Sequence, residues 1–231
     1  MAKKMIKLPE KDSHFPRDSN RYQYKSYLRA LELIPKDKRN TALDIGAHVG
    51  YWTIAMLEDF KKVYSFEASE ENYNCLLENC KNANTYNVAI GESEGLCDLV
   101  LEAGNNSGSY RTISGCSIEM RTIDSFKIND VSYIKVDVQG DELKVIKGAA
   151  KTIEKFRPVL SVEAIYNKNI DIPLLTFIVK DLGYKLLDVS SKDYIFIPNG
   201  YAFPDGYDFR QKRKGLKEIK KHYKILSKFI T

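Results

Sequence analysis

The chain has 231 residues, 43% of them hydrophobic and 29% charged, which fits one globular α/β domain with a full core and is short for two. No run of about 18 apolar residues occurs, which argues against a transmembrane helix, and the start Met1-Ala2-Lys3-Lys4-Met5-Ile6-Lys7 lacks the apolar stretch of a secretory leader, so a cytoplasmic location is expected. The net charge of +5 is uneven: residues 210–231 carry +8 and the rest of the chain −3, so the basic character belongs to the tail.

Residues 1–20 hold Pro9 and Pro16 without an apolar period and read as an irregular arm. Tyr24, Tyr27, Leu28, Leu31 and Ile34 recur at three-to-four spacing and predict a helix from Arg21 to Ile34, ended by Pro35. After a charged loop, Thr41–Ile45 is a buried-strand run interrupted only by Asp44. Gly46-Ala47-His48-Val49-Gly50 is a glycine turn, and a helix follows from Gly50 to Asp59. The second strand, Lys62–Glu67, ends in an acid. Ser69 caps a helix through Cys80, with Glu70 and Glu71 well placed in its first turn.

Asn84–Ile90 is read as a third strand stopped by Gly91. Leu96–Leu101 and Ser117–Ile123 are strand-like, with the polar loop 104–110 between them. Val131–Val138 is strongly β-forming and predicts a central strand. Gln139-Gly140-Asp141-Glu142 opens a helix to Phe156, and Pro158–Glu163 is a fifth strand. Pro173–Leu182 is helical, with Gly183 just past its end. Tyr184–Val189 and Tyr194–Ile197 form a closing hairpin. An alternating βα chain that ends in two antiparallel strands predicts an α/β fold: a Rossmann-like seven-stranded sheet, mostly parallel with an antiparallel C-terminal hairpin, and helices on both faces.

The turn after the first strand sets the chemistry. Gly46 and Gly50 lack a Cβ and allow a ligand to approach the backbone, and the amides opening the next helix face that ligand. A dinucleotide site needs G-x-G-x-x-G, and here position 48 is His, which disfavours a dehydrogenase. Asp44, Glu67 and Asp137 recur at or near strand ends, which converge where the strand order of a doubly wound sheet reverses. Glu67 lies 23 residues after Asp44, close to the spacing of a ribose-binding carboxylate, and one carboxylate accepts from both ribose hydroxyls. Asp137 interrupts an apolar strand and is costly to bury unpaired, so it is expected to face the site. Glu142 suits the first turn of its helix or the site itself.

Five ordered blocks carry a family resemblance: Leu43-Asp44-Ile45-Gly46-Ala47-His48-Val49-Gly50; Phe66-Glu67-Ala68; Asn87-Val88-Ala89-Ile90-Gly91; Arg121-Thr122-Ile123-Asp124; and Ile134-Lys135-Val136-Asp137-Val138-Gln139-Gly140-Asp141-Glu142, with Lys147-Gly148-Ala149 after it. Over residues 40–165 the set resembles the FkbM-type family of class I S-adenosylmethionine-dependent methyltransferases. Where many members have Glu and Ala, this chain has Gln139 and Asp141. The resemblance implies an O-methyltransferase with S-adenosyl-L-methionine as cofactor and a hydroxyl of a sugar, glycan or small natural product as acceptor. It implies that Asp44, Gly46 and Gly50 shape the methionine side and that Asp137 and Glu142 border the acceptor, while the strand-end position of Asp137 also makes it a cofactor-binding candidate near the methionine ammonium. Glu67 would bind ribose, and Asn87 and Val88 would lie along adenine. Asp137, Glu142 and His48 are the candidate catalytic residues. The implied layout is an N-terminal arm and helix over 1–40, the methyltransferase domain over 41–209 and a basic amphipathic tail over 210–231.

Asp137, Asp141, Glu142 and Glu163 suit magnesium-type ligation, but acids at such spacing are unspecific and no metal is expected. The cysteines, Cys75, Cys80, Cys97 and Cys116, lack a C-x-x-C pair and read as reduced thiols. The loop 104–110 offers hydroxyls and amides to a polyol, or is a plain connection. The aromatic stretch Tyr201, Phe203, Tyr207 and Phe209 is expected to cover the core. The tail makes nucleic-acid binding, and with it ribose methylation of RNA, an alternative that is not favoured; base amine methylation is disfavoured because no Asp-Pro-Pro-Tyr or Asn-Pro-Pro-Tyr stretch follows the fourth strand. A non-catalytic binding module of the same fold is the third reading.

Overall fold

The computed structural model describes residues 5–17, 23–166, 169–190, 192–205 and 207. The basic tail 210–231, Phe209 and the start of the helix expected at Arg21 lie outside the described residues. The strands of the main sheet are β1 (Thr41–Ile45), β2 (Lys62–Phe66) and β3 (Asn84–Tyr86). After these come four short strands, β4 (Ala89–Ile90), β5 (Gly95–Leu101), β6 (Tyr110–Ser114) and β7 (Ile118–Arg121), which form a separate sheet in the order β4-β7-β5-β6. The chain then returns to the main sheet with β8 (Val131–Val136) and β9 (Val159–Glu163). A small hairpin, β10 (Ile165–Tyr166) and β11 (Asn169–Ile170), precedes the closing pair β12 (Tyr184–Ser190) and β13 (Asp193–Pro198).

The main sheet has seven strands in the order β12-β13-β9-β8-β1-β2-β3. β8 and β2 flank β1 in parallel, and β13 is antiparallel to both β9 and β12. The expected architecture is therefore present, and the chain order reverses between β1 and β8. In the central register Asp44 lies opposite Ser65 on one side and Lys135 on the other.

Strand alternation sends side chains to two cores. Leu43, Ile45, Ile134 and Val136 enter one core, beneath α4 (Glu142–Gly148), α5 (Ala150–Phe156) and α6 (Ile172–Thr176). Ala42, Val63 and Tyr133 enter the other, beneath α1 (Tyr24–Leu31) and α2 (Tyr51–Asp59). Helices thus cover both faces. Tyr201, Phe203 and Tyr207 pack on the second core, and the Tyr201 hydroxyl donates to the Leu33 carbonyl at 2.6 Å, the covering role expected of that stretch. None of the described helices is long and apolar enough to cross a membrane.

The arm is better anchored than its irregular composition predicts. Ile6 and Leu8 are buried with Ile54, Leu76 and Cys80 between α2 and α3 (Glu70–Asn79). Burying two such side chains contributes roughly 3–6 kcal/mol before ordering costs. The Asn79 amide bonds the Lys7 backbone in both directions at 2.9 Å and donates to the Val49 carbonyl at 2.8 Å, which ties the arm to the glycine turn.

Three predicted elements are corrected. Asn84–Ile90 is not one strand, because the chain leaves the main sheet after Tyr86 and β4 joins the second sheet. The helix expected from Gln139 to Phe156 breaks at Ala149. Gly148 there lies so close to the backbone of Gly91 that a Cβ would meet its carbonyl oxygen at 2.0 Å. The stretch read as a loop through Tyr110 gives way at that residue to β6, a whole strand missed in the reading.

Candidate active site

The carboxyl ends of β1, β2 and β8 open into a cleft of about 580 Å³, walled on its far side by the second sheet and the loop before β6. A second cleft of about 910 Å³ adjoins it. The two share Gly46, His48, Gly108, Asp137 and Gln139. Tyr51, Trp52 and Phe15 of the arm line only the second cleft, with Gln23, Glu163 and Lys192.

Gly46 sits in the left-handed region at φ +79°, and a Cβ there would meet the Asp137 carbonyl oxygen at 1.8 Å. Only glycine lets β1 and β8 end this close together. His48, also left-handed at φ +52°, donates its amide to Glu67 Oε2 at 2.8 Å. Ser69 donates its amide to Glu67 Oε1 at 2.9 Å and caps α3 by accepting from Asn72. Each oxygen of Glu67 is thus fixed by a backbone amide; Oε1 also accepts from the Asn72 side-chain amide at 3.5 Å, and Oε2 keeps a second lone pair at the cleft wall. Burial pushes the Glu67 carboxyl up to about 6, against those amide bonds.

Asp137 follows β8. Burial is the largest single influence and opposes its ionisation, but the ammonium of Lys135 at 3.3 Å and hydrogen bonds from neighbouring side chains together outweigh it and hold its carboxyl below the usual range. Gln139 donates to Asp137 Oδ1 at 2.9 Å. Burial and the Asp137 charge raise the carboxyl of Glu163, which also pairs with Lys192 at 2.9 Å. Lys135 is buried in mid-strand, paired also with Asp193 at 3.0 Å and lying 5.0 Å from the centre of the Trp52 ring. This lysine is not among the site residues expected from the sequence. A cation within the apolar run Ile134-Lys135-Val136, two residues before Asp137 and so on the same face, is the signal that would have found it.

His48 Nε2 lies 2.6 Å from Ser107 Oγ, and the Ser107 hydroxyl and amide both donate to Asp12 of the arm. Burial drives the His48 ring down to about 4, although Asp12 and Asp137 favour its protonation. Burial also works against ionisation of Asp12, but the Ser107 hydroxyl and the amides of Phe15, Ser107 and His14 hold its carboxyl below the ordinary value. Ser107 belongs to the loop 104–110, whose hydroxyls and amides the sequence offers to a polyol, whereas Asp12 is not singled out there. Nothing in an irregular arm marks one acid, and only the fold brings residues 12 and 107 together.

Four expected site residues lie elsewhere. Asp44 is behind the turn, accepting from the Thr53 hydroxyl at 2.6 Å, and it anchors α2 to β1 without lining either cleft. Gly50, at φ +99°, also lies outside both clefts; it packs against α3, where a Cβ would meet Cys80 Sγ at 2.4 Å. Asn87 turns its amide to the carbonyls of Glu67 and Ala68, bracing the end of β2, while its neighbour Val88 does line the first cleft. Glu142 accepts from the amides of Val138 and Gly140, each at 3.0 Å, which braces the tight turn after β8, and it does not line either cleft. Burial raises its carboxyl to about 7. Asp141 is engaged by Thr112 and by Lys144. Among the described residues, no group of three or more acids, histidines or cysteines is arranged to hold a metal ion.

A Rossmann-like sheet in this order, with its cleft at the β1–β8 reversal, is the class I methyltransferase fold. Residues 44–186 match the methyltransferase FkbM domain, and the chain belongs to that family. The methyltransferase FkbM of Methylobacillus flagellatus is similar in fold, with a TM-score of 0.51 and 21% identity over 69% of this chain and 44% of its own. This chain therefore spans less than half the length of that relative. A Streptococcus mutans protein solved in complex with SAH has a TM-score of 0.47 and 14% identity, over 83% of this chain and 97% of its own. An rRNA methylase of Streptococcus thermophilus has a TM-score of 0.47 and 12% identity, over 84% of this chain and 96% of its own. No curated protein matches the chain.

Proposed function

We propose that the chain is an S-adenosylmethionine-dependent O-methyltransferase whose first cleft takes the cofactor and whose second takes a small hydroxylated acceptor such as a sugar, glycan or natural product. The observation that carries this reading is the junction of the two clefts, where an ionised carboxylate, Asp137, and a neutral imidazole, His48, both line the shared wall.

The residues present fit the cofactor. Glu67 Oε2, which takes only the His48 amide, keeps an acceptor lone pair, and Asn72 carries a buried amide oxygen without a partner at the same wall. In this reading Glu67 holds the ribose hydroxyls, Val88 and Phe66 border the adenine, and Asp137 pairs with the methionine ammonium. When bound, the cofactor supplies an electrophilic methyl group on a sulfonium. Phe15, Tyr51 and Trp52 give the second cleft an apolar platform. Gln23, Asn106 and Gln139 add amides that suit hydroxyl groups. Orienting the acceptor oxygen in line is the larger part of such a transfer, and neutral His48 receives its proton. Asp137, already ion-paired and kept ionised, is the weaker base of the two.

Calorimetric titration with S-adenosylhomocysteine, with NAD as control, tests the cofactor assignment. Saturable binding of the first alone is expected. Binding of NAD alone, or of neither, would overturn the assignment. The same titration with variants of Glu67 distinguishes the proposed orientation from binding elsewhere.

A further inference from the structure

The arm reaches the site through one side chain. Asp12 is buried at 6% exposure and receives four hydrogen bonds: amides from His14 and Phe15 on Oδ1, and the amide and hydroxyl of Ser107 on Oδ2. Ser107 has a single hydroxyl proton, and an ionised carboxylate can only accept. That proton is therefore committed to Asp12. The contact between Ser107 Oγ and His48 Nε2 must then be donated by the imidazole.

Resting on the reading of His48 as proton acceptor, we infer that Asp12, acting through Ser107, sets the tautomer of His48 to Nε2–H and leaves Nδ1 as the basic nitrogen. Among the described residues Nδ1 has no hydrogen-bond partner, and His48 is a lining residue of both clefts. The titratable groups around the ring are Asp12 and His14 from the arm and Asp137 after β8, with Glu67 bonded to the His48 amide. Phe15 and Tyr51 complete the enclosure, their ring centres 4.6 Å and 6.3 Å from that of His48. Asp12 and Ser107 are thus positioning residues. Asp12 lies outside the segment that matches the family domain, so the arm supplies an element of the site which that domain does not contain.

The test is the tautomer itself, read by long-range proton–nitrogen correlation on labelled full-length protein. The chain has three histidines, and His48→Gln identifies the relevant signals. The wild type is expected to show protonated Nε2 and bare Nδ1 at neutral pH. Asp12→Ala frees the Ser107 proton for donation to Nε2 and should move the tautomer ratio roughly tenfold towards Nδ1–H. Ser107→Ala, which leaves the Oδ1 bonds of Asp12 in place, should give a mixture of the two forms. A wild type carrying its proton on Nδ1, or both variants retaining Nε2–H, would overturn the inference. Should either variant fail to fold, the wild-type spectrum alone decides. S-adenosylhomocysteine titration of the same samples reports separately on the underlying reading: failure of the wild type to bind it removes the methyltransferase assignment, whatever the tautomer.

Discussion

Glu67 and Asp137 are both strand-end acids, yet their surroundings separate them. Glu67 is held by amides and raised by burial, which suits an acceptor of hydroxyl hydrogen bonds. Asp137 is kept ionised by Lys135, which suits a partner for an ammonium. Glu67→Gln keeps the shape but turns one acceptor into a donor. It should weaken S-adenosylhomocysteine binding about tenfold, with Glu67→Ala weaker still. Asp137→Asn should cost about tenfold in the same titration while shifting the urea midpoint less, because Lys135 keeps its pair with Asp193. An unchanged dissociation constant in both Glu67 variants would sink the proposed cofactor orientation. At this scale the sequence marks the acids by position, since a carboxylate at the end of an apolar run needs a reason to be there. It does not say which way each one faces. Asp44 and Asp137 read alike in the sequence, and one is behind the turn while the other is in the cleft wall.

Among elements, the junctions carry the argument. The close backbone approach of Gly148 and Gly91 holds α4 against the segment after β4, and that of Gly46 and Asp137 closes the turns after β1 and β8. Gly148→Ala forces a Cβ to within 2.0 Å of a carbonyl oxygen and should destabilise the fold by more than about 2 kcal/mol. Gly46→Ala combines a similar clash with a positive φ and should abolish cofactor binding as well. Gly95→Ala, with nothing within 4 Å, is the control and should be neutral within about 1 kcal/mol. Urea unfolding of the three variants checks the ranking; equal midpoints would refute the packing role of Gly148. The strands of the main sheet are legible because apolar runs and turn residues bound them. The helix break at Ala149 is not, because its cause is a glycine approached by a residue 57 positions away in the chain.

Over the whole molecule, the buried acids shape stability against pH. Asp44 and Glu67 titrate at about 6 and Glu142 at about 7 in the folded chain, all raised by burial. Each binds its proton more tightly when folded, so its contribution falls as pH rises from the unfolded value through the folded one. His48, lowered to about 4, works in the opposite sense between that value and its ordinary one. These three acids outweigh one histidine, and Glu163, also raised by burial, adds in the same sense, so the chain should be more stable near pH 5 than near pH 7.5 by more than about 3 kcal/mol. Urea midpoints at the two values check this, and Glu142→Gln should flatten the difference. A higher midpoint at the upper value in the wild type would contradict the burial assigned to these groups.

The order of apolar runs, glycines and strand-end acids was enough by itself to determine the α/β architecture, the antiparallel closing pair and the family, because those features are local and repeat along the chain. Which acid faces the cleft, where a helix breaks and how the arm meets the site were decided only by tertiary structure. Those outcomes depend on contacts between distant residues, Asp12 with Ser107 and Gly148 with Gly91, that no local period encodes.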